Sequence, residues 1–168
     1  TASKASGMTR IYGAAKEPEI VTLCSFLRCC GAKIRGDGTD VIVVEGVACL
    51  QGCHFRIPGD RIVAGTYMLM TAATGGCIYL KNAPSDEMAT VLGFLQKAGC
   101  EYQVTKEGIF LEAPKELQPV GKITTGVHPG FPTDLQSVMG VLLCLAKGTS
   151  IITENLYESR FKICHELS

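Results

Sequence analysis

Two stretches of this sequence gather side chains able to move a proton or hold an anion. The first is His128-Pro129-Gly130-Phe131-Pro132-Thr133-Asp134. Its two prolines stiffen the approach to whatever follows. Thr133-x-x-Gln136 has the form of a capping box, which predicts a helix starting at Thr133. Asp134 then falls in the first turn, where free N–H groups and the helix dipole favour an anion. Such a carboxylate is either a helix-start acid or a rigidly held base or acceptor for a sugar hydroxyl, and spacing alone does not choose. The second stretch is Glu154-Asn155-Leu156-Tyr157-Glu158-Ser159-Arg160, two acids and an arginine within seven residues. A surface ion pair worth about 0–1 kcal/mol accounts for it. So does an arginine facing an anionic substrate, because the guanidinium fork matches carboxylate and phosphate. Glu17 and Glu19 at a helix start, and Asp60-Arg61 just past a Pro-Gly pair, carry the same two readings: element-end charges or residues lining a cleft.

The nine cysteines are odd in number, and no Cys-x-x-Cys pair occurs. Cys29-Cys30, Cys49 and Cys53 beside His54, and Cys164 before His165 do not form two pairs with metal-ligand spacing, so no metal is expected. Free thiols at apolar positions, packed as small core residues in a reducing cytoplasm, are the expectation. His54 and His165 are read as structural.

The elements that must position these residues repeat. Residues 11–34 and 79–102 align at a constant offset of 68, so that Ala15 falls on Ala83, Glu19 on Glu87, Phe26-Leu27 on Phe94-Leu95 and Gly31 on Gly99. Each copy reads strand, acidic turn, helix, glycine, strand, Gly turn, strand. Ile20, Leu23, Cys24 and Leu27 form one helix face; Met88, Val91, Leu92 and Leu95 form its counterpart. A second helix follows in each copy, from near Asp60 to Thr74 and from Thr133 to Lys147. A third copy opens at Ser150-Ile151-Ile152-Thr153, and Ser168 falls within its expected helix. Two and a half βαβ-rich units predict a pseudo-symmetric α+β assembly, with a hinge or domain crossing at Arg56-Ile57-Pro58-Gly59-Asp60. An incomplete unit would leave apolar surface open, so self-association is an expectation.

Composition narrows the function classes. Sixteen basic residues balance sixteen acidic ones, which speaks against a general nucleic-acid binder or a polybasic membrane anchor. Hydrophobic residues make up 46%, enough for a packed core. Residues 62–80 lack a charge, but three threonines and Gly75-Gly76 interrupt them. A membrane-spanning helix needs about 20 mostly apolar residues, so a helix, a Gly-Gly stop and a strand are predicted instead.

GAAKEPEIVTLCSFL, PGDRIVAGTYM, HPGFPTDLQ and ITENLYESRFKICHELS resemble the UDP-N-acetylglucosamine 1-carboxyvinyltransferase family of enolpyruvyl transferases over essentially the whole chain. The resemblance implies a central fragment of an inside-out α/β barrel protein of two three-unit domains with the active site between them. Residues 1–57 would be the last unit of one domain; residues 58–168 would be the hinge and first units of the other. The implied chemistry is transfer of the enolpyruvyl group of phosphoenolpyruvate to the 3′-hydroxyl of UDP-N-acetylglucosamine, without a cofactor, in cytoplasmic peptidoglycan synthesis. By the same resemblance Asp134 deprotonates that hydroxyl and contacts the sugar, with Thr133 beside it. Leu156 meets the nucleotide sugar through its backbone, and Arg160, Glu158, Glu17, Glu19, Asp60 and Arg61 line or flank the cleft. The family's Lys-Asn pair, catalytic cysteine loop and C-terminal arginine have no counterpart in this sequence. Two expectations follow: an enzyme segment inactive by itself, or a free-standing partial paralogue acting as a non-catalytic nucleotide-sugar binding or interaction module. The sister family that makes enolpyruvylshikimate phosphate is a weaker rival.

Overall fold

The computed structural model describes residues 1–168 and divides into two compact units, Thr1–Pro58 and Gly59–Ser168. In the first unit, β1 (Met8–Tyr12) leads to α1 (Pro18–Cys29), β2 (Lys33–Arg35) and β3 (Val41–Glu45). The last strand takes the central place. β3 pairs antiparallel with β1, Thr9 opposite Val44, and with β2, Ile34 opposite the same Val44. β1 and β2 are therefore parallel edges separated by β3, a split βαβ arrangement. Pro18 starts α1, where a missing N–H costs nothing. Gly31 follows the helix at φ +95°, a backbone conformation that glycine adopts without strain. Cys24, Ala32, Ile34, Ile42 and Val44 form the buried core, with Ile20 and Leu27 packed against it. Leu23 departs from the expected face: it is exposed, so the buried stripe narrows to Ile20, Cys24 and Leu27.

The second unit begins with α2 (Arg61–Thr74), then repeats the pattern as β4 (Cys77–Lys81), α3 (Ala89–Lys97), β5 (Glu101–Thr105) and β6 (Gly108–Glu112). β6 lies between β4 and β5, antiparallel to both, with Leu111 opposite Ile78 and Tyr102. The offset read from the sequence thus reappears as the same strand order. α2 is followed by Gly75 and β4, and no helix is long and apolar enough to cross a membrane. Met88, Val91, Leu92 and Leu95 are all buried as their spacing requires, against Met68, Leu69, Ile109, Leu111, Leu135 and Met139.

β7 (Lys122–Thr124), α4 (Gln136–Cys144), β8 (Ile151–Thr153) and α5 (Ile163–Glu166) complete the chain. β7 and β8 pair in parallel, Ile123 opposite Ile152. The expected second helix differs at both ends. Thr133–Leu135 is a 3-10 turn, the α-helix starts at Gln136, and it ends at Cys144 rather than Lys147. In the third copy Ile151, Leu156, Tyr157, Phe161 and Leu167 are exposed.

Candidate functional site

The turn between β7 and α4 is fixed before any partner arrives. Thr125 bridges to Phe131, and the Gly126 amide donates to the Phe131 carbonyl at 3.0 Å. The Thr90 hydroxyl donates to the Pro129 carbonyl at 2.6 Å. Phe131, Leu135 and Gln136 are at most 2% exposed and Thr133 is 8%. Between them the Asp134 side chain stands 60% exposed. The turn is anchored by its neighbours and projects one carboxylate.

The capping box does not form, because the Thr133 hydroxyl has a better acceptor. It donates to Glu154 Oε2 at 2.7 Å, and no side chain caps the turn. The other oxygen of Glu154 accepts from Thr125 Oγ1 at 2.8 Å, from the Leu156 amide at 2.8 Å and from the Tyr157 amide at 3.2 Å. Thr125 Oγ1 in turn accepts from the Asn155 amide at 2.9 Å. One half-buried carboxylate thus joins the end of β7, the Thr133 turn and the loop after β8. Burial works against its ionisation; the Leu156 amide, the Thr133 and Thr125 hydroxyls and the Tyr157 amide outweigh that and hold its carboxyl below the ordinary range.

Sequence reasoning missed Glu154 and Thr125 as organisers. The available signal was an acid directly after a strand and two residues before an exposed loop, where a carboxylate accepts backbone N–H groups at i+2 and i+3.

Arg160 pairs with Asp134 across 26 residues, Nη2 to Oδ1 at 3.4 Å, and not with the acids beside it in sequence. Its guanidinium carbon lies 4.9 Å from the centre of the Tyr157 ring, a cation–π distance. The structure therefore brings Thr133, Asp134, Leu156 and Arg160 together. Glu158 is exposed and stands outside this network.

Asp60 caps α2, with its Oδ1 accepting from the Ile62 and Val63 amides at 2.7 and 3.0 Å. Arg61, next to it, is buried at 9% exposure. Glu17 and Glu19 belong to the first unit. The Glu17 carbonyl accepts from the Ile20 and Val21 amides at the start of α1. Glu19 lines an open cavity of about 350 Å³ with Thr22, Leu23, Phe26, Phe55 and Ile57.

The cysteines correct the expectation of core packing. All nine are free, but only Cys24, Cys30 and Cys100 are buried; Cys29, Cys49, Cys77, Cys144 and Cys164 are exposed. Their apolar neighbours in sequence do not imply burial, because five of them fall at helix ends, strand edges or loops.

The chain belongs to the family described as EPSP synthase (3-phosphoshikimate 1-carboxyvinyltransferase), which it matches over residues 1–168. Within that family it is 44% identical, over 99% of its length, to UDP-N-acetylglucosamine 1-carboxyvinyltransferase of Actinobacillus pleuropneumoniae serotype 5b, and 43% identical to the protein of the same name from Nitratidesulfovibrio vulgaris. It spans only 39% and 40% of those relatives. The enolpyruvyl transferase NikO of Streptomyces tendae shares the fold at a TM-score of 0.84 and 20% identity, covering 99% of this chain and 40% of that one. EPSP synthase from Acinetobacter baumannii shares it at 0.68 and 17%, covering 97% and 39%. The resemblance carried by the HPGFPTD and ESRF strings is borne out.

Proposed function

We propose that this chain is a segment of a cytoplasmic enzyme of peptidoglycan synthesis. The reaction moves the enolpyruvyl group of phosphoenolpyruvate to the 3′-hydroxyl of UDP-N-acetylglucosamine and releases phosphate. Relatives 42–44% identical over 99% of the chain bear that activity in their names, which favours it over the shikimate branch. The observation that carries the reading is Asp134, an exposed carboxylate on a turn buried on both sides. A general base must be ionised, accessible and held in direction, and this turn supplies the last two. Arg160 at 3.4 Å offers the carboxylate a counter-charge and leaves its second oxygen for a hydroxyl proton. Thr133 and the Leu156 loop, tied to each other by Glu154, would form the wall against which the sugar lies. On this reading Glu158, Glu17, Glu19, Asp60 and Arg61 flank the cleft rather than react.

The test is phosphate release by the complete gene product. Release that depends on both phosphoenolpyruvate and UDP-N-acetylglucosamine is expected. Binding of the nucleotide sugar with no release would make the protein a non-catalytic nucleotide-sugar module. Release with shikimate 3-phosphate in place of the sugar would assign it to the sister activity.

A further inference from the structure

The first unit carries a group of thiols that the proposed transfer does not use. After β3 the chain runs without regular structure from Gly46 to Pro58 and returns to the end of α1. It is held there at three points. The Gln51 amide donates to the Cys30 carbonyl at 2.8 Å. The rings of Phe26 and Phe55 meet edge to face with centroids 5.5 Å apart. The Cys29 thiol donates to the His54 carbonyl at 3.6 Å. Between these anchors Cys30 Sγ and Cys53 Sγ lie 3.5 Å apart.

We infer that Cys30 and Cys53 form an oxidisable dithiol, a site at which a peroxide converts two thiols into a disulfide that staples the 46–58 segment to α1. The three anchors hold the partners on both sides of the pair with the sulfurs 3.5 Å apart, so an approach of about 1.5 Å reaches the length of an S–S bond. Access is graded: Cys30 is buried, Cys53 half-buried and Cys29 exposed. Hydrogen bonding to Cys29, burial, and hydrogen bonding to Cys30 push the Cys53 thiol up to about 12. The chemistry balances with peroxide as the oxidant. One sulfur of the pair attacks the peroxide oxygen, becomes a sulfenic acid and releases one water. The other sulfur then displaces the sulfenic hydroxyl, which leaves with the remaining thiol proton as a second water. Two thiols lose two electrons, the peroxide gains them, and one S–S bond forms. Cys53 and Phe55 line the open cavity beside α1, so the bond would fix one wall of that cavity.

The experiment is titration of the full chain with hydrogen peroxide, followed by thiol counting in denaturant and peptide mapping. Of nine free thiols, two should disappear to leave seven, with a mass lower by two hydrogens, a Cys30–Cys53 linked peptide, and full recovery with dithiothreitol. Cys30→Ser and Cys53→Ser should each abolish the link while keeping the shape of the site. Only sulfenic or sulfinic adducts, links between molecules, or an undiminished yield of linked Cys53 in Cys30→Ser would overturn the assignment. Mapping in the unsubstituted chain keeps the test valid if either variant folds poorly.

Discussion

Replacing Glu154 by alanine removes the acceptor of four donors at once, and the structure says how much each loss should cost. The Leu156 and Tyr157 amides belong to exposed residues, so water can replace the carboxylate at a few tenths of a kcal/mol each. The Thr133 hydroxyl is different: its residue is 8% exposed, and without Glu154 a buried polar group is left unpaired, at about 1–2 kcal/mol. Thr125 is 2% exposed but has the Thr153 carbonyl at 3.5 Å as a poor substitute, so about 1 kcal/mol is expected. The total is about 2.5–3.5 kcal/mol for Glu154→Ala. Glu154→Gln keeps one carbonyl oxygen for Thr125, Leu156 and Tyr157. It sets an amide donor against the Thr133 hydroxyl, which should cost about 1 kcal/mol. Urea denaturation of the full chain, followed by circular dichroism, reads both variants. Since the carboxyl lies below its ordinary value in the folded protein, its stabilisation should be complete above the ordinary glutamate pKa of about 4.3. It should disappear as pH falls through the lower folded value. The advantage over Glu154→Gln should shrink in that acid window. An alanine variant within about 0.5 kcal/mol of the parent chain, or a glutamine variant less stable than the alanine one, would refute the argument that this carboxylate joins the three segments.

Three further outcomes are expected. In the complete gene product, Asp134→Asn should lower turnover by about 10²–10⁴-fold with an unchanged far-ultraviolet spectrum, because the side chain is exposed and its ion pair with Arg160 is a surface one; near-normal turnover would leave Asp134 a structural acid. Gly65→Ala should destabilise the second unit by about 1–3 kcal/mol, since an added Cβ would sit 2.5 Å from Leu135 Cδ1; a thermal melt at the parent temperature would show that α2 and the Thr133 turn can move apart freely. The isolated 168-residue polypeptide, which spans 39% of its relative's length, should release no phosphate above background from the two substrates proposed, because a site completed by further chain would lose its preorganisation; release dependent on both substrates would count against this.

What the sequence made legible was periodic or local. The offset of 68 survives as two sheets of identical order because the same spacing of apolar residues selects the same register twice. Met88, Val91, Leu92 and Leu95 were readable as a core face for the same reason. The Asp60 cap was readable because its partners are two and three residues away. What failed depended on residues distant in sequence. Thr133 fits a capping box, yet a glutamate 21 residues on outcompetes the local amide. Arg160 has acids beside it, yet its partner is Asp134. Leu23 fits the helix stripe, yet this small sheet covers only part of it. The site could be narrowed to two short strings by residue type, but the carboxylate that binds them together shows only once β7 and β8 are side by side.

The central position of β3 and β6 also orders events during synthesis. β1 emerges before β2 and β3, but β2 lies across the place that β3 will fill. Its backbone groups stay without sheet partners until Glu45, the partner of Met8, has emerged. The short β2–β3 connection favours that hairpin as the first structure to form, because closing a small loop costs little entropy. β1 then docks onto a ready-made edge. The same sequence recurs with β5–β6 before β4. A pause in translation that keeps β3 inside the tunnel would hold β1 without sheet partners, whereas one that has let Glu45 emerge would find the sheet able to close.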